Sequence, residues 1–468
     1  MAEYDYDMLV IGSGPAGQRA AIQASKLGKR VAIVERKESV GGVAVNVGTI
    51  PSKTLREAVV YFSGYRERGL YGEAYEVKRG IRLRDLLIRT DYVTRHEIDV
   101  TLDQILRNRI ELISAEASFL DPHSVHLKYI DDQAERDVTA DKIVIAVGTF
   151  ATRPGNIPAD GTTIFTSDDI LDLDRLPRTL TVVGAGVIGC EFASIFATLG
   201  VRVTLVDKRP RLLSFVDSEI VEALIYHMRE NRVFLRLGEE VSDVEVVEDA
   251  RGEGVRIHLA SGKQITSEKA LYSIGRTGST SSLNLHAAGL EPDERGRLST
   301  NGFFQTETPN IYAAGDVVGF PSLASTSMEQ GRLAACHAFG IEAGRMPEHL
   351  PYGIFTIPEI STVGLNEQEL TEQGIPYEVG KAHYREIARG QIIGDRTGFL
   401  KLIFHLETHA LLGVHIIGEG ASELVHIGQA VLAYGGKVDY FIDTVFNYPT
   451  LAECYKTAAF DGINRLSA

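Results

Sequence analysis

The chain repeats one pattern of apolar and polar positions in two places. An apolar run at 8–11 is followed by a glycine-rich turn, an alanine-rich helical stretch and a second apolar run that ends at Glu35. The same order returns at 180–183, with a second apolar run that ends at Asp207. In both copies, 23 residues separate the first glycine of the turn from the closing acidic residue. The pattern predicts two strand–turn–helix–strand units.

Both turns have the spacing GxGxxG, and their glycines are Gly12, Gly14 and Gly17 in the first copy and Gly184, Gly186 and Gly189 in the second. The first glycine permits a tight turn, the second lets the backbone approach a pyrophosphate, and the third lets the helix pack close to the strand. The closing carboxylate accepts hydrogen bonds from ribose hydroxyls. A single glycine-rich turn also ends ordinary strands, but two complete copies predict two bound dinucleotides.

The composition is that of a soluble globular enzyme, with 44% hydrophobic and 24% charged residues in 468, a length that favours about three domains. A net charge of −15 disfavours a nucleic-acid partner. Cys190, Cys336 and Cys454 are far apart and form no metal-like cluster, so we expect no metal and three buried, reduced thiols. The acidic start leads directly into the first strand and no apolar run approaches membrane-spanning length, which favours a cytoplasmic protein without a membrane partner.

The segment 41–53, GGVAVNVGTIPSK, closely resembles the redox-active segment of the flavoprotein disulfide reductases, usually written GGTCLNVGCIPSK. Aligned on the glycines and the IPSK end, Ala44 and Thr49 occupy the positions of both redox cysteines. The family's HxHPTxxE motif, whose second histidine and glutamate serve the thiol, reads FNYPTLAE at 446–453. Tyr448 replaces that histidine, and a phenol with an ordinary pKa of about 10 is a poor proton shuttle at neutral pH. The thiol pair and its base are therefore missing together.

The resemblance covers essentially the whole chain. Further segments that match strands or fingerprints of the family are 143–149, 273–276, 308–316, 355–360 and 412–418. The family implies an α/β fold with two Rossmann-like dinucleotide-binding domains, one inserted in the other, plus an α+β C-terminal interface domain. The implied domains are an FAD-binding domain at 1–150 and 275–346, an NAD(P)-binding domain at 151–274 and a dimerisation domain at 347–468. We expect a homodimer or higher homo-oligomer, and the region 61–106 reads as helical without assigned chemistry.

The family's residues that remain in this chain are sufficient for hydride transfer without the thiol pair. By the resemblance, Lys53 lies near flavin N5 and pairs with Glu191, where a fixed cation favours the negative charge that arrives with the hydride. An ordinary buried ion pair is the alternative for these two residues. The resemblance implies an FAD-dependent transhydrogenase that balances the NADPH and NADH pools, with the two nicotinamides alternating at one site in a ping-pong mechanism. An NAD(P)H-dependent diaphorase that reduces quinones is the second hypothesis, and a flavin-binding subunit without turnover is the third.

The implied cofactors are FAD at the first motif and NAD(H) and NADP(H) at the second. Candidate binding residues outside the two glycine motifs are Glu35, Arg36, Gly42, Thr49, Gly148, Asp207, Lys208, Arg209, Gly275, Arg276, Gly315, Asp316 and Ala324. Asp207 favours a ribose with free hydroxyls and hence NAD, whereas Lys208 and Arg209 could pair with the extra phosphate of NADP. A solvated basic pair explains these two residues equally well. Ala324 lies where a helix begins, and by the resemblance that helix aims its N-terminus at the C2 carbonyl side of the flavin.

Overall fold

The computed structural model describes residues 3–71, 80–153, 155, 157, 159–249 and 252–466. The strands are β1 (Tyr6–Ile11), β2 (Val31–Glu35), β3 (Glu111–Phe119), β4 (Ser124–Tyr129), β5 (Glu135–Ile145), β6 (Thr149–Ala151), β7 (Ile164–Thr166), β8 (Thr179–Val183), β9 (Arg202–Asp207), β10 (Phe234–Leu237), β11 (Val241–Asp249), β12 (Gly252–Leu259), β13 (Gln264–Ser267), β14 (Lys269–Tyr272), β15 (Arg276–Gly278), β16 (Ile311–Ala313), β17 (Tyr352–Ile354), β18 (Ile360–Gly364), β19 (Tyr377–His383), β20 (Phe399–His405) and β21 (Leu411–Ile417). The helices are α1 (Pro15–Lys26), α2 (Gly42–Asn46), α3 (Thr49–Ser63), α4 (Arg68–Tyr71), α5 (Leu83–Arg107), α6 (Val187–Thr198), α7 (Ser218–Glu230), α8 (Ala324–Ala338), α9 (Glu367–Gln373), α10 (Ala388–Ile393), α11 (Ala421–Ala433), α12 (Asp439–Asp443) and α13 (Glu453–Leu466).

The chain divides into two compact units. Unit one comprises the described residues of Met1–Leu55, Leu87–Thr152 and Gly275–Met346. Unit two comprises those of Arg56–Leu86, Arg153–Ile274 and Pro347–Ala468. The assignment of the predicted domain segments to FAD, nicotinamide and dimer binding stays a prediction.

Unit one is built on a parallel sheet in the order β3-β2-β1-β5-β16. The far ends of β3 and β5 continue into antiparallel pairing with β4. Alternation along β1 sends Met8 and Val10 into one apolar cluster, which includes side chains of α1 and α8, and sends Leu9 and Ile11 into a second cluster on the opposite face. Because both faces of β1 are buried, its sequence is a continuous apolar run.

Unit two contains a second parallel sheet in the order β10-β9-β8-β14-β7, together with the antiparallel sheet β11-β12-β13. Its C-terminal part is the antiparallel sheet β17-β18-β21-β20-β19. Side chains of α11 and α13 share one core cluster with β20 and β21. Among the residues that the structure describes, no helix combines the length and apolar character needed to cross a bilayer.

The predicted α/β class is confirmed, with two parallel sheets and an antiparallel C-terminal sheet. The predicted apolar strands of both repeats are β1, β2, β8 and β9. The region 61–106, predicted as helical, is helical at 61–63, 68–71 and 83–106 but not at 64–67 and 80–82, and 72–79 lies beyond the described residues. The prediction of a strand at 355–360 is wrong for 355–359. These residues connect β17 to β18, because Pro358 has no N–H for a sheet and the neighbouring backbone groups bond to side chains instead.

Candidate nucleotide-binding and hydride-transfer site

The first glycine motif forms the turn between β1 and α1. Gly12 has a φ of +105°, and a Cβ built on it would lie 2.4 Å from the carbonyl oxygen of Ala146. A Cβ on Gly17 would lie 1.9 Å from the carbonyl oxygen of Gly12, so only glycine lets α1 pack this close to the turn. Gly14 differs, because the nearest atom to a Cβ there is the Cα of Gly42, 4.0 Å away. The turn is tight toward the protein at its first and third glycines and open at its second.

The carboxylate of Glu35 holds this turn from the end of β2. Glu35 Oε2 accepts hydrogen bonds from the backbone N–H and the hydroxyl of Ser13, at 2.9 and 2.6 Å. The Ser13 hydroxyl oxygen also accepts from the Gly41 N–H at 3.1 Å, so the turn is linked to the glycine pair at the start of α2. Arg36 is exposed beside it. Sequence reasoning missed Ser13, although its place between two motif glycines was a usable signal.

A second group of predicted residues meets around Thr149. The Arg276 guanidinium donates from Nε to Thr149 Oγ1 at 2.8 Å and from Nη2 to the Thr149 carbonyl at 2.9 Å. The Thr149 hydroxyl in turn donates to Asp316 Oδ2 at 3.3 Å. Burial raises the pKa of Asp316, and the charges of Arg276 and Arg297 and the bond from Thr149 oppose that rise. Thr149, which sequence reasoning passed over, connects the predicted residues Arg276 and Asp316.

Gly148, Gly315 and Ala324, three further predicted binding residues, lie in connecting loops or at a helix start. Gly148 has a φ of +63° and precedes Thr149, while Gly315 has a φ of +86° and its N–H donates to Gln330 Oε1 at 2.8 Å. Helix α8 begins at Ala324, as the sequence predicts, and no side chain caps its N-terminus. The backbone N–H groups of its first turn are therefore available to an acceptor.

The second glycine motif repeats the geometry of the first in unit two. A Cβ on Gly184 would lie 2.4 Å from the Ser273 carbonyl oxygen, and a Cβ on Gly189 would lie 1.8 Å from the Gly184 carbonyl oxygen. A Cβ on Gly186 would meet no atom of the described residues within 4 Å. Gly186 is also the N-cap of α6, which has no side-chain cap. The open second glycine and the uncapped helix suit a pyrophosphate.

Asp207, at the end of β9, closes this motif as Glu35 closes the first. Its Oδ2 accepts from the Ala185 N–H at 2.6 Å and from Arg209 Nη2 at 2.7 Å, and its Oδ1 accepts from Arg209 Nε at 2.9 Å. Burial raises the pKa of Asp207, but the hydrogen bonds from Arg209 and Ala185 outweigh burial and hold it below the ordinary value. Lys208 is 72% exposed and lies 4.0 Å from a Glu240 oxygen. The predicted basic pair is thus split, with Arg209 on Asp207 and Lys208 in solvent.

The predicted catalytic residues lie in different units. Lys53 belongs to α3 and to unit one, and Glu191 belongs to α6 and to unit two. Glu191 is buried, and its Oε1 accepts from the Phe355 N–H at 2.8 Å.

Gly275, a predicted binding residue, has a φ of +133° and accepts through its carbonyl from the Thr152 N–H at 3.0 Å.

The residues at the two predicted redox-cysteine positions carry no thiol, and the cysteines of the chain lie elsewhere. Ala44 lies in α2 and Thr49 is the first residue of α3. Cys190, Cys336 and Cys454 are free and buried elsewhere, and burial raises the pKa of each thiol, that of Cys454 to about 12. A thiol held protonated in this way is not a nucleophile at neutral pH.

The C-terminal motif has also lost its acid–base pair. Tyr448 is 74% exposed in the single chain. Glu453, the retained glutamate of the motif, begins α13, and its buried Oε2 has no hydrogen-bond partner among the described residues. The carboxylate remains in place, but no imidazole stands at the position that would pair with it.

Family models and known proteins match this chain over nearly its whole length. The family model described as pyridine nucleotide-disulphide oxidoreductase matches residues 6–331, and the model of that family's dimerisation domain matches residues 350–459. The chain is similar to the soluble pyridine nucleotide transhydrogenase of Mycobacterium tuberculosis, with 54% identity over 99% of this chain and 98% of the relative. It is 46% identical to the protein of the same name from Stutzerimonas stutzeri, over 100% of both chains.

The fold is also similar to that of solved structures. LpdA from Mycobacterium tuberculosis aligns with a TM-score of 0.88 and 27% identity, over 98% of this chain and 100% of that chain. The HOCl-induced flavoprotein disulfide reductase RclA from Escherichia coli aligns with a TM-score of 0.86 and 25% identity, over 97% of this chain and 99% of that chain. The resemblance drawn from the sequence motifs is confirmed.

Proposed function

The chain belongs to the pyridine nucleotide-disulphide oxidoreductase family, and we propose that it is an FAD-dependent transhydrogenase that passes a hydride between NADPH and NAD⁺. The observation that carries the proposal is the combination of two intact dinucleotide motifs with Ala44, Thr49 and Tyr448 at the positions of the thiol relay. The relatives named as soluble pyridine nucleotide transhydrogenases support it over their full length. A disulfide substrate would need the thiols that this chain lacks.

The residues of unit one fit FAD. Gly14 leaves open space at the turn, Gly42 packs its backbone close to Gly14, and the N-terminus of α1 has no side-chain cap, as a pyrophosphate requires. We propose that Glu35 binds the adenosine ribose and that Asp316 binds the ribityl chain. Bound FAD would supply a flavin N5 that accepts a hydride and gives it back. The open N-terminus of α8, at Ala324, would stabilise negative charge on the ring.

The residues of unit two fit a nicotinamide nucleotide. The space at Gly186 and the N-terminus of α6 would take the pyrophosphate, and Asp207 the adenosine ribose. In the part of the chain that the structure describes, this is the one glycine motif outside unit one, so NADPH and NAD⁺ would bind in turn. Arg209 would face the 2′-phosphate of NADPH after leaving Asp207, with Lys208 as a second, solvent-exposed cation.

We propose that Lys53 and Glu191 act at the point of hydride transfer. A lysine ammonium beside the flavin would stabilise the negative charge that develops there. Glu191 would hold that ammonium in place, and its own position is fixed by the Phe355 N–H. The match of residues 350–459 to the dimerisation domain supports a homodimer, and exposed large side chains in the same segment, Tyr434, Val445 and Tyr448, offer apolar surface for it.

The test is anaerobic stopped-flow reduction of the purified protein by NADPH, followed by reoxidation with thio-NAD⁺. Rapid bleaching and rapid recovery of the flavin absorbance, with ping-pong kinetics, are expected. Lys53→Ala should slow the bleaching step by about 10²–10³-fold, the usual cost of removing one electrostatic stabiliser. Lys128→Ala, which removes an exposed lysine of β4, should leave both steps unchanged.

Two results would contradict the proposal. Bleaching that only quinones reverse would identify a diaphorase in its place. Absence of bleaching with either reduced nicotinamide would remove both enzymatic functions.

A further inference from the structure

Three consecutive residues that connect β17 to β18 are held by side chains from α3 and α6. Glu191 of α6 accepts from the Phe355 N–H at 2.8 Å, and the hydroxyl of Ser194, also in α6, accepts from the Ile357 N–H at 3.1 Å. Between these bonds, the Thr356 carbonyl accepts from Arg56 Nε of α3 at 3.0 Å. The segment that fixes the Glu191 carboxylate is therefore itself fixed by Arg56.

Arg56 has few other ways to satisfy its charge. The residue is only 3% exposed, and its two remaining nitrogens contact Glu57 Oε1 at 2.5 Å and Glu359 Oε2 at 3.4 Å. Glu359 is also buried, and its Oε1 accepts from the N–H and the hydroxyl of Ser422 at 3.1 and 3.2 Å. A planar guanidinium can hold several acceptors at once in this way, whereas an ammonium directs its bonds less rigidly.

The bonded segment has little freedom once these contacts are made. Thr356 is fully buried, and its hydroxyl donates to the Pro358 carbonyl at 2.6 Å. Without Arg56, the Thr356 carbonyl would be buried without its donor, which is unfavourable. The segment would relax to find another donor, and the Phe355 N–H would move with it.

We propose that Arg56 is a positioning residue for hydride transfer, which acts by fixing residues 355–357 and through them the carboxylate of Glu191. The inference rests on the proposed function, because it takes Glu191 to act at the hydride-transfer site. Arg56 also lies three residues after Lys53 in α3, so one guanidinium fixes the helix of one proposed catalytic residue and the backbone donor of the other. Its contacts are with protein groups, and it changes the reaction only through Glu191.

The experiment is a double-mutant cycle with Arg56→Met and Glu191→Gln, read as the rate of flavin bleaching by saturating NADPH in FAD-loaded protein. Arg56→Met alone should slow bleaching by about tenfold, within the range for residues coupled in one hydrogen-bond network. In the Glu191→Gln background it should have no further effect, because the group it positions has already been changed. The KM for NADPH should stay constant throughout, since the nucleotide-binding residues are separate from this network.

Arg66→Met is the matched control. Arg66 follows α3 and pairs with Glu419 at 2.6 Å. It also lies 3.6 Å from Glu57, a partner of Arg56, but it is partly exposed and, within the described part of the chain, has no bond to 355–357. It should leave the bleaching rate unchanged. Arg56→Lys keeps the charge and should recover part of the rate, which provides a second measurement if the methionine variant folds poorly.

Specific outcomes would overturn the inference. If Arg56→Met and Glu191→Gln slow bleaching by independent factors that multiply in the double variant, Arg56 does not act through Glu191. A wild-type rate in both Arg56 variants would reduce its role to structure alone. If the wild type passes hydride and Glu191→Gln passes it equally fast, Glu191 has no role in hydride transfer, and this inference is refuted with it. A wild type that passes no hydride would refute the proposed function itself.

Discussion

Arg209 and Asp207 form a bidentate ion pair at the position where the adenosine ribose of a nicotinamide nucleotide would bind. With Arg209 in place, the Asp207 carboxylate is partly neutralised, so a ribose with free hydroxyls meets no isolated negative charge. For a ribose that carries a 2′-phosphate, the guanidinium would turn from the carboxylate to the phosphate, which matches its planar geometry. One pair of residues could therefore serve both substrates by exchange of partners. The sequence names both residues but does not determine whether Arg209 bonds to Asp207 or points into solvent.

Arg209→Gln should impair NADPH more than NADH. Loss of a charge-assisted hydrogen bond costs about 1.5–3 kcal/mol, so we expect the KM for NADPH to rise by about 10- to 150-fold while that for NADH changes little. Steady-state kinetics with each reduced nicotinamide measure the two values. Arg229→Gln, which removes an exposed arginine near the end of α7, controls for the general loss of positive charge. Equal losses for both substrates would mean that Arg209 does not read the 2′-phosphate.

At the scale of elements, the sequence predicts well what is built from neighbouring residues. Both strand–turn–helix–strand units form where the repeated pattern places them, because their turns depend on glycines within six residues of one another. The segment 355–359 could not be predicted, because its backbone groups bond to Arg56, Glu191 and Ser194, which are distant in sequence. The sequence shows only that Arg56 lies three residues after Lys53, and this spacing alone is weak evidence for a functional role.

The glycines of the second motif allow a test of which ones serve folding and which serve binding. Gly186→Ala places its methyl where no atom of the described residues, its chain neighbours aside, lies within 4 Å, at an ordinary φ of −79°, so thermal stability should not change. The methyl would occupy the space of the pyrophosphate, and the KM for both NADPH and NADH should rise by at least about tenfold. Gly189→Ala places its methyl 1.8 Å from the Gly184 carbonyl oxygen and should cost about 1–3 kcal/mol of folding free energy.

Thermal melting and nicotinamide kinetics separate the two glycine variants. Both should retain the flavin, because the first motif lies in unit one. Normal binding of both nucleotides by Gly186→Ala would show that the pyrophosphate does not approach α6 at this residue.

At the scale of the molecule, a buried lysine links parts of unit two that are far apart in sequence. Lys401 of β20 is fully buried, and its ammonium lies 2.8 and 3.0 Å from the two oxygens of Asp217 and 3.2 Å from Glu219 Oε2. It also contacts Glu367, at the start of α9. Oxygens of these three carboxylates lie within 4.8 Å of one another, an arrangement that could hold a cation, and here the ammonium serves as that cation. The sequence gives no warning of this cluster, because its members are separated by up to 184 residues.

The charges of this cluster are mutually stabilised. Burial raises the pKa of Asp217, but the electrostatic interactions with His415 and Lys401 and the hydrogen bond from Lys401 outweigh burial and lower it overall. Burial lowers the pKa of Lys401, and the facing carboxylates of Asp217 and Glu367 raise it overall. Both groups therefore stay charged around neutral pH. The segment that contains Asp217 is thereby joined to the C-terminal sheet, which lies within the match to the family's dimerisation-domain model.

Lys401→Met should destabilise the protein strongly, because it leaves three carboxylates close together without their common cation. Removing one member of a buried ion pair costs about 3–5 kcal/mol, and the repulsion among the remaining carboxylates adds to it. Lys381→Met is the matched control, since Lys381 bonds to Glu219 at 2.6 Å but is partly exposed, and such a pair contributes about 0–1 kcal/mol. Urea denaturation of the FAD-loaded proteins at pH 7 measures both free energies of unfolding. Equal effects of the two substitutions would mean that the buried lysine does not hold the two parts of unit two together.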